Sequence, residues 1–195
     1  METKYPAIER RAKEEDGEIH WGDEMGVRST CYGGRGYARK GQTPTLKLPG
    51  NRFSVNMIST VTNQGKVRFM IYEGRMQASL FLVFLGRRVR DAPKKVFLIV
   101  DNLRLHEAAE VQEWLRGKEE QIEIFYLPKY APELNPDEYL NCDVKANVNG
   151  QGLPHSREDL KSRLKAFMHK LSKLPDRVAS YFQHPSIQYA SAESG

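Results

Sequence analysis

The chain has 195 residues, of which 28% are charged and 39% hydrophobic, and its formal net charge is +5. This length and composition predict a soluble protein with one domain, or one domain with a short appendage. No apolar run approaches the roughly 20 residues that a membrane-spanning helix needs, and no signal peptide opens the sequence. Cys31 and Cys142 lack metal-ligand spacing and do not form a disulfide framework, which favours a reducing cytoplasm.

The elements predicted along the chain are several strands followed by alternating helices and strands. Residues 1–16 are polar and carry both charge signs, which predicts an exposed or helical lead-in. Residues 19–22 read as a short strand that ends at Asp23, while residues 53–61 and 67–72 flank an Asn-Gln-Gly turn and predict a hairpin. The later order is helix 76–88, strand 95–100, helix 107–116, strand 122–126, helix 136–145, an amphipathic helix over 156–174 and a frayed end from residue 183. This order predicts an α/β fold, a mixed sheet flanked by helices.

Two acids follow predicted strands, at positions where open sheets collect ligands. Asp101 ends the apolar run 96–100, and Asp23 ends the strand 19–22. A carboxylate there is costly to desolvate unless it binds a cation or several donors. The alternative for Asp101 is a turn with Asn102, since Asp-Asn is favourable turn chemistry. Strand alternation places Asp23 and Glu24 on opposite faces, which favours Asp23 for the site without deciding between them.

A third acid, Glu138, begins the helix predicted over 136–145. Asn135 can cap this helix, and Glu138 stands three residues later, as in a capping box where it would return to the Asn135 backbone amide. Spacing alone does not separate a capping glutamate from a metal ligand, and Asp137 and Asp143 are nearby alternatives. If the acids at both strand ends and this helix start converge, they make a magnesium site suited to phosphoryl chemistry.

Basic residues are concentrated where acids are missing. Residues 25–72 contain no Asp or Glu, which predicts a surface that faces nucleic acid; the alternative is a solvated loop and hairpin with counter-charges elsewhere in the fold. His106 has two interpretations. It is a structural cap or packed imidazole, or it lies near the phosphate or contacts the metal ligands from outside, as Asn102 could also do. The candidate DNA contacts are Arg28, Arg35, Arg39, Lys40 and Arg52, with Lys129 from the loop before the helix 136–145.

Three blocks of the sequence read WGDEMGV, KVFLIVDNLRLH and FYLPKYAPELNPDEYLNCDVK. In combination they resemble the catalytic domain of bacterial insertion-sequence transposases of the IS-six-thirty family, which are relatives of the mariner elements, over residues 5–148. The resemblance implies a ribonuclease-H-like fold and an Asp-Asp-Glu triad of Asp23, Asp101 and Glu138. It also implies two bound Mg²⁺ ions, for which Mn²⁺ can substitute, and metal-dependent DNA strand cleavage and strand transfer. The implied partner is double-stranded DNA, both transposon ends and target.

The sequence departs from this family in one respect. Full-length members carry helix-turn-helix domains ahead of the catalytic domain, whereas here residues 1–16 lead directly into a catalytic domain over 17–150, followed by a helical appendage over 151–195. We therefore expect a second reading frame that works as a frameshift fusion or with an upstream helix-turn-helix protein, or else a truncated copy. We also expect a homodimer, located in the bacterial cytoplasm and on the nucleoid when DNA is bound. The rival functions are an inactive or regulatory remnant that binds DNA, and another ribonuclease-H-like nuclease such as a resolvase.

Overall fold

The computed structural model describes residues 4–29, 39–41, 52–101, 108–128, 131–150 and 152–191. They form a five-stranded mixed sheet in the order β3-β2-β1-β4-β5, with helices on both faces. No helix of this described part is long and apolar enough to cross a membrane. The strands are β1 (Glu18–Arg28), β2 (Ser54–Val61), β3 (Val67–Tyr72), β4 (Val96–Val100) and β5 (Ile122–Tyr126). The α-helices are α1 (Tyr5–Glu14), α2 (Ala78–Asp91), α3 (Ala109–Leu115), α4 (Pro136–Asn149), α5 (Arg157–Leu171) and α6 (Pro175–Ser180).

The central strand β1 is longer than the sequence predicted. It pairs in parallel with β4 only as far as Gly22, opposite Val100, but it pairs antiparallel with β2 as far as Arg28. The expected strand end at Asp23 is therefore wrong, because β2 supplies backbone partners where β4 has stopped. Asp23 lies within β1, directly after the last parallel pair, and therefore beside the carboxyl end of β4.

The two faces of the sheet bury separate apolar clusters. Trp21, Met25 and Val27 of β1 belong to the cluster covered by α1, α4, α5 and α6. Leu98 and Val100 belong to the opposite cluster, which α2 and α3 cover. Since side chains alternate along a strand, Asp23 points to the same face as Trp21 and Met25, toward α4.

The hairpin predicted around Asn63–Gly65 is confirmed. Strands β2 and β3 pair antiparallel up to Val61 opposite Val67, and the Gly65 amide donates to the Thr62 carbonyl oxygen at 3.0 Å. Gly65 has φ +83°, and a Cβ there would collide with the backbone of Pro175 at the start of α6. Only glycine satisfies both the turn conformation and this close approach.

Helix positions are confirmed and their ends are shifted. Helix α4 begins at Pro136 as predicted, with the Asn135 side chain accepting from the Asp137 amide at 3.1 Å, but it continues to Asn149. The predicted cap Ser156 accepts from the Asp159 amide at 3.1 Å and starts α5. These side chains satisfy amides that a helix start leaves unpaired.

Both flanking segments contribute to the core. Tyr5 and Ile8 of α1 are buried, so the lead-in is a packed helix. The predicted fraying from residue 183 is wrong for the described residues, because Pro185–Ala190 forms a 3₁₀ helix that buries Ile187 and Ala190. Side chains from α1, the sheet, α4, α5 and α6 share one buried cluster. The division at residues 16 and 150 stays a prediction.

Candidate active site

Asp23 and Glu24 have separate environments. The Asn141 side-chain amide on α4 donates to Asp23 Oδ2 at 2.8 Å, while the Tyr72 hydroxyl on β3 donates to Glu24 Oε2 at 3.0 Å. Asp23 therefore faces α4, and Glu24 faces the opposite side of the sheet. This is the orientation that strand alternation favoured.

Asp101 immediately follows β4 and is half-buried. Burial raises the pKa of its carboxyl to about 6, and the negative charge of Glu138 raises it further in the same direction. An effect of the Glu138 charge on Asp101 indicates that the two carboxylates lie near each other, although 35 residues, 101–135, separate β4 from α4 along the chain. The Asn135 side chain donates to the Gly22 carbonyl oxygen, and Gly22 pairs with Val100, so the start of α4 lies near the carboxyl end of β4.

The capping-box interpretation of Glu138 is wrong. The Asn135 backbone amide, which Glu138 would have accepted from, donates instead to the Pro132 carbonyl oxygen at 2.8 Å. The Asn135 side chain also donates to the carbonyl oxygen of Gly22 at 3.1 Å, in a buried position. This bond ties the start of α4 to β1 directly before Asp23, so Glu138 is held beside the strand without being used as a cap.

The charges of Asp101 and Glu138 act on Asp23, the third predicted carboxylate. The pKa of Asp23 is raised by burial first, and then by the negative charges of Asp137, Glu138 and Asp101. Repulsion between neighbouring carboxylates is typical of a cluster of acids. These charge effects favour a site shared by Asp23, Asp101 and Glu138, and both the site and the roles of its residues stay predictions.

Sequence reasoning missed two polar side chains and undervalued a third. Asp137 is fully buried, accepts from the Ser59 hydroxyl at 2.7 Å, and has its pKa raised to about 8, mainly by burial. Asn141 follows Glu138 by three residues, so helical spacing could have placed both on one side of α4. Ser59 could not have been found, because its place opposite Asp23 depends on the β1–β2 register.

Asp143, the other alternative on α4, is occupied elsewhere. Its carboxylate accepts from Arg177 Nε at 2.8 Å and from Arg177 Nη2 at 2.6 Å, and also from the Tyr181 hydroxyl. These bonds attach α4 to α6 and the following turn. Asp143 is therefore a structural contact.

The side chains at this site suit a hard cation. Among the described residues, no group of three His, Cys, Asp or Glu side chains is already arranged to hold a metal ion. The same part of the chain leaves Asp137 Oδ1 and Asn141 Oδ1 buried without hydrogen-bond partners. Among the described residues, the candidate metal-ligand atoms at this site are oxygens, most of them from carboxylates, which is the ligand chemistry of Mg²⁺ and Mn²⁺. Repelling carboxylates with unsatisfied oxygens beside them fit such ions.

The predicted DNA contacts are only partly within the described residues. Arg28, Arg39, Lys40 and Arg52 are exposed. Lys66, in the same acid-free stretch, pairs with Glu18 of β1, so for this residue the fold does supply the counter-charge. Four predicted residues lie outside the described part of the chain: Arg35, Asn102, His106 and Lys129.

Solved structures define the class of this fold. The catalytic domain of Mos1 mariner transposase superposes with a TM-score of 0.59, at 14% identity, over 98% of this chain and 92% of that chain. A Mos1 transposase paired-end complex with the left transposon end gives a TM-score of 0.64 at 19% identity, over 97% of this chain and 61% of that chain. A mariner Mos1 paired end complex with Mg gives 0.62 at 18% identity, over 97% and 62%. The chain therefore has the ribonuclease-H-like fold that the resemblance implied.

Sequence comparison identifies the family. The profile of the DDE superfamily endonucleases matches residues 18–161, and the chain belongs to this family. It is also 23% identical, over 179 residues, to the "Insertion element IS630 uncharacterized 39 kDa protein" of Shigella sonnei. That match covers 89% of this chain and 52% of the relative, so the chain spans about half the relative's length. The family resemblance predicted from the three sequence blocks is confirmed.

Proposed function

We propose that this chain is the catalytic domain of an insertion-sequence transposase, which cleaves DNA phosphodiesters and joins the freed 3′ ends to target DNA. One observation carries the proposal: the negative charges of Glu138 on α4 and Asp101 after β4 raise the pKa of Asp23 on β1, and that of Glu138 raises the pKa of Asp101. Family membership supports it, as does the likeness to Mos1 complexes with a transposon end and with Mg. The double-stranded DNA partner is part of the same proposal.

Asp23, Asp101 and Glu138 would hold the divalent ions in this proposal. Two such ions, when bound, polarise the phosphodiester and lower the pKa of the attacking water or 3′-OH. Asn141 keeps Asp23 in one orientation through its 2.8 Å bond, and Asn135 fixes the start of α4 against Gly22. The protein would therefore hold the carboxylates in fixed positions. The in-line displacement needs no Ser or Tyr nucleophile.

The exposed cations would contact the DNA backbone. Arg28, Arg39, Lys40 and Arg52 would hold DNA phosphates and fix position without reading sequence. Recognition of transposon ends would fall to a helix-turn-helix domain, fused through a frameshift or supplied by an upstream protein, and a homodimer would hold two ends. These partners and a nucleoid location are proposals, since the chain spans about half of its insertion-element relative.

The proposal is tested by cleavage and joining assays on plasmid and linear DNA with and without Mg²⁺ or Mn²⁺. We expect metal-dependent activity that falls to the metal-free level in Asp101→Ala and in Glu138→Gln. Glu138→Gln keeps the size of the side chain, and it removes no cap, because Asn135 donates to Pro132. Glu133→Gln is the matched control, since Glu133 is an exposed acid in the preceding 3₁₀ turn.

The outcomes separate the rival functions. Full cleavage by Glu138→Gln would remove this residue from the site and contradict the triad. Cleavage without joining of 3′ ends would favour a different nuclease of the same fold. DNA binding with no metal-dependent cleavage by the unmodified chain would favour a regulatory remnant.

A further inference from the structure

A basic cleft lies at the open edge of the sheet, away from the carboxylates. Within the described part of the chain, β3 is an edge strand whose one sheet neighbour is β2. Between the end of α2 on one face and α5 on the other, its residues 67–71 border a cleft of about 630 Å³. The charged side chains that line it are one acid, Asp91, and the cations Arg68, Arg87, Arg88, Arg90, Lys161 and Lys165.

Arg88 is the unusual member of this group because it is buried. It is 5% exposed, and within the described residues its Nε has no hydrogen-bond partner. Its Nη2 lies 3.6 Å from Asp91 Oδ2, but that carboxylate already accepts from Arg90 Nε at 2.9 Å. The nearby charge of Arg68 opposes Arg88, and burial followed by this repulsion lowers the Arg88 pKa to about 10.

A buried guanidinium with an unsatisfied donor and a shared counter-ion is costly unless a ligand completes it. An anion with several acceptor oxygens would supply both the missing hydrogen bond and the counter-charge. Phosphate meets this need, because the planar donors of arginine match two of its oxygens. The Phe84 ring, 6.0 Å from the guanidinium, closes the other side of Arg88.

Cations on both walls extend the site beyond a single contact. Arg87 on α2 and Lys165 on α5 are exposed on opposite sides of the cleft. A chain of phosphates suits this arrangement better than a peptide strand added to β3, because such a strand would place backbone groups among six cations and one acid. Duplex DNA presents a negative charge about every 1.7 Å of its axis.

We propose that this edge cleft binds a phosphate of a DNA backbone, with Arg88 as the buried donor and Arg87 and Lys165 on the walls. The proposal rests on the proposed function for its choice of DNA, and it adds a second DNA contact outside the carboxylate site. The β-sheet register places Asp23 opposite Ser59, and Ser59 opposite Phe69 at the cleft. The backbones of β1 and β3 are therefore about 10 Å apart, which is two strand spacings of about 4.8 Å.

Charge reversal on the exposed walls tests the cleft while leaving buried Arg88 in place. The variant is Arg87→Glu with Lys165→Glu, and the control is Arg10→Glu with Lys173→Glu, two exposed cations that do not line the cleft. Affinity for a short duplex is measured without divalent ions over a salt series. We expect the cleft variant to lose about one to two units from the slope of log K against log salt, at about 0.9 per phosphate contact. The control, with the same net charge, should bind more tightly than the cleft variant and keep a steeper slope.

Equal affinity and slope in the two variants would overturn the proposal. Two further arms identify the ligand: calorimetry with inorganic phosphate at constant ionic strength, and binding of poly-glutamate. If either ligand binds the unmodified chain and loses affinity only in the cleft variant, while both variants bind DNA alike, the cleft takes free phosphate or acidic peptide and the DNA assignment fails. If the unmodified chain cleaves DNA and the cleft variant binds DNA as the control does, only this inference fails. If binding depends on the cleft but the unmodified chain does not cleave DNA, only the proposed function fails.

Discussion

Replacing Asp101 by Asn should stabilise the metal-free protein while it abolishes activity. In the folded state burial and the charge of Glu138 raise the Asp101 pKa from 3.8 to about 6. The full shift of roughly 2 pKa units corresponds to about 3 kcal/mol at 1.36 kcal/mol per unit. Because Asp101 is half-exposed, solvent screening reduces this to about 1–2 kcal/mol. Asparagine keeps the shape and removes the charge, so we expect the melting temperature to rise by about 2–8 °C at 2–4 °C per kcal/mol.

The sign of the effect depends on pH. Between about pH 4 and 6 the Asp101 carboxyl is protonated in the folded state and ionised in the unfolded state. The free energy of unfolding of the unmodified protein therefore falls as pH rises through this range. Melting followed by circular dichroism in EDTA should thus show the gain of Asp101→Asn at about pH 8 and its disappearance below about pH 4. Excess Mg²⁺ should raise the melting temperature of the unmodified protein more than that of the variant.

Asp91→Asn is the control for loss of a negative charge. Arg90 lowers the Asp91 pKa, so removing the Asp91 charge should not raise the melting temperature. If Asp101→Asn melts below the unmodified protein at about pH 8 in EDTA, the carboxylates do not repel one another, and the reasoning for a convergent site fails.

Three further predictions concern stability, each followed by urea denaturation. Leu164 is fully buried on α5, so Leu164→Ala should cost about 2–5 kcal/mol through lost burial and a cavity; a loss below about 1 kcal/mol would mean that α5 is not part of the core. Asp143→Asn should cost about 1–3 kcal/mol, since it weakens the bonds from Arg177 and Tyr181, and a double-mutant cycle with Tyr181→Phe should show coupling. Burial lowers the His20 pKa, so stability should fall as pH drops below about 6.5, and His20→Gln should flatten that slope; an unchanged slope would assign it to other groups.

Local patterns predicted the elements, and tertiary contacts decided their limits. The hairpin at Gly65 and the caps Asn135 and Ser156 depend on a few neighbouring residues, so the sequence reveals them. The length of β1 does not, since residues beyond Asp23 are extended only because β2 pairs with them.

The site shows the same division. Acids at strand ends and at a helix start were visible from the sequence, and the family blocks selected Asp23, Asp101 and Glu138 among them. Spacing could not exclude the capping role of Glu138, because that required knowing that the Asn135 amide donates to Pro132. Ser59 carries no local signal at all, since its importance comes from a partner, Asp137, on an element 78 residues away in sequence.

The aromatic contacts that join the beginning and end of the chain bear on its synthesis. The Tyr5 ring meets Tyr189 with centroids 5.2 Å apart, and the Trp21 ring meets Phe182 at 4.9 Å. A growing chain emerges from its N-terminus, so Trp21 remains without this cover until the last helices leave the ribosome. At about 5–20 residues per second, that interval lasts roughly 10–30 s, during which Trp21 can have Tyr5 of α1 against it but not Phe182. A ribosome that stops before Phe182 would therefore release a chain in which this side of Trp21 on the central strand is open to aggregation.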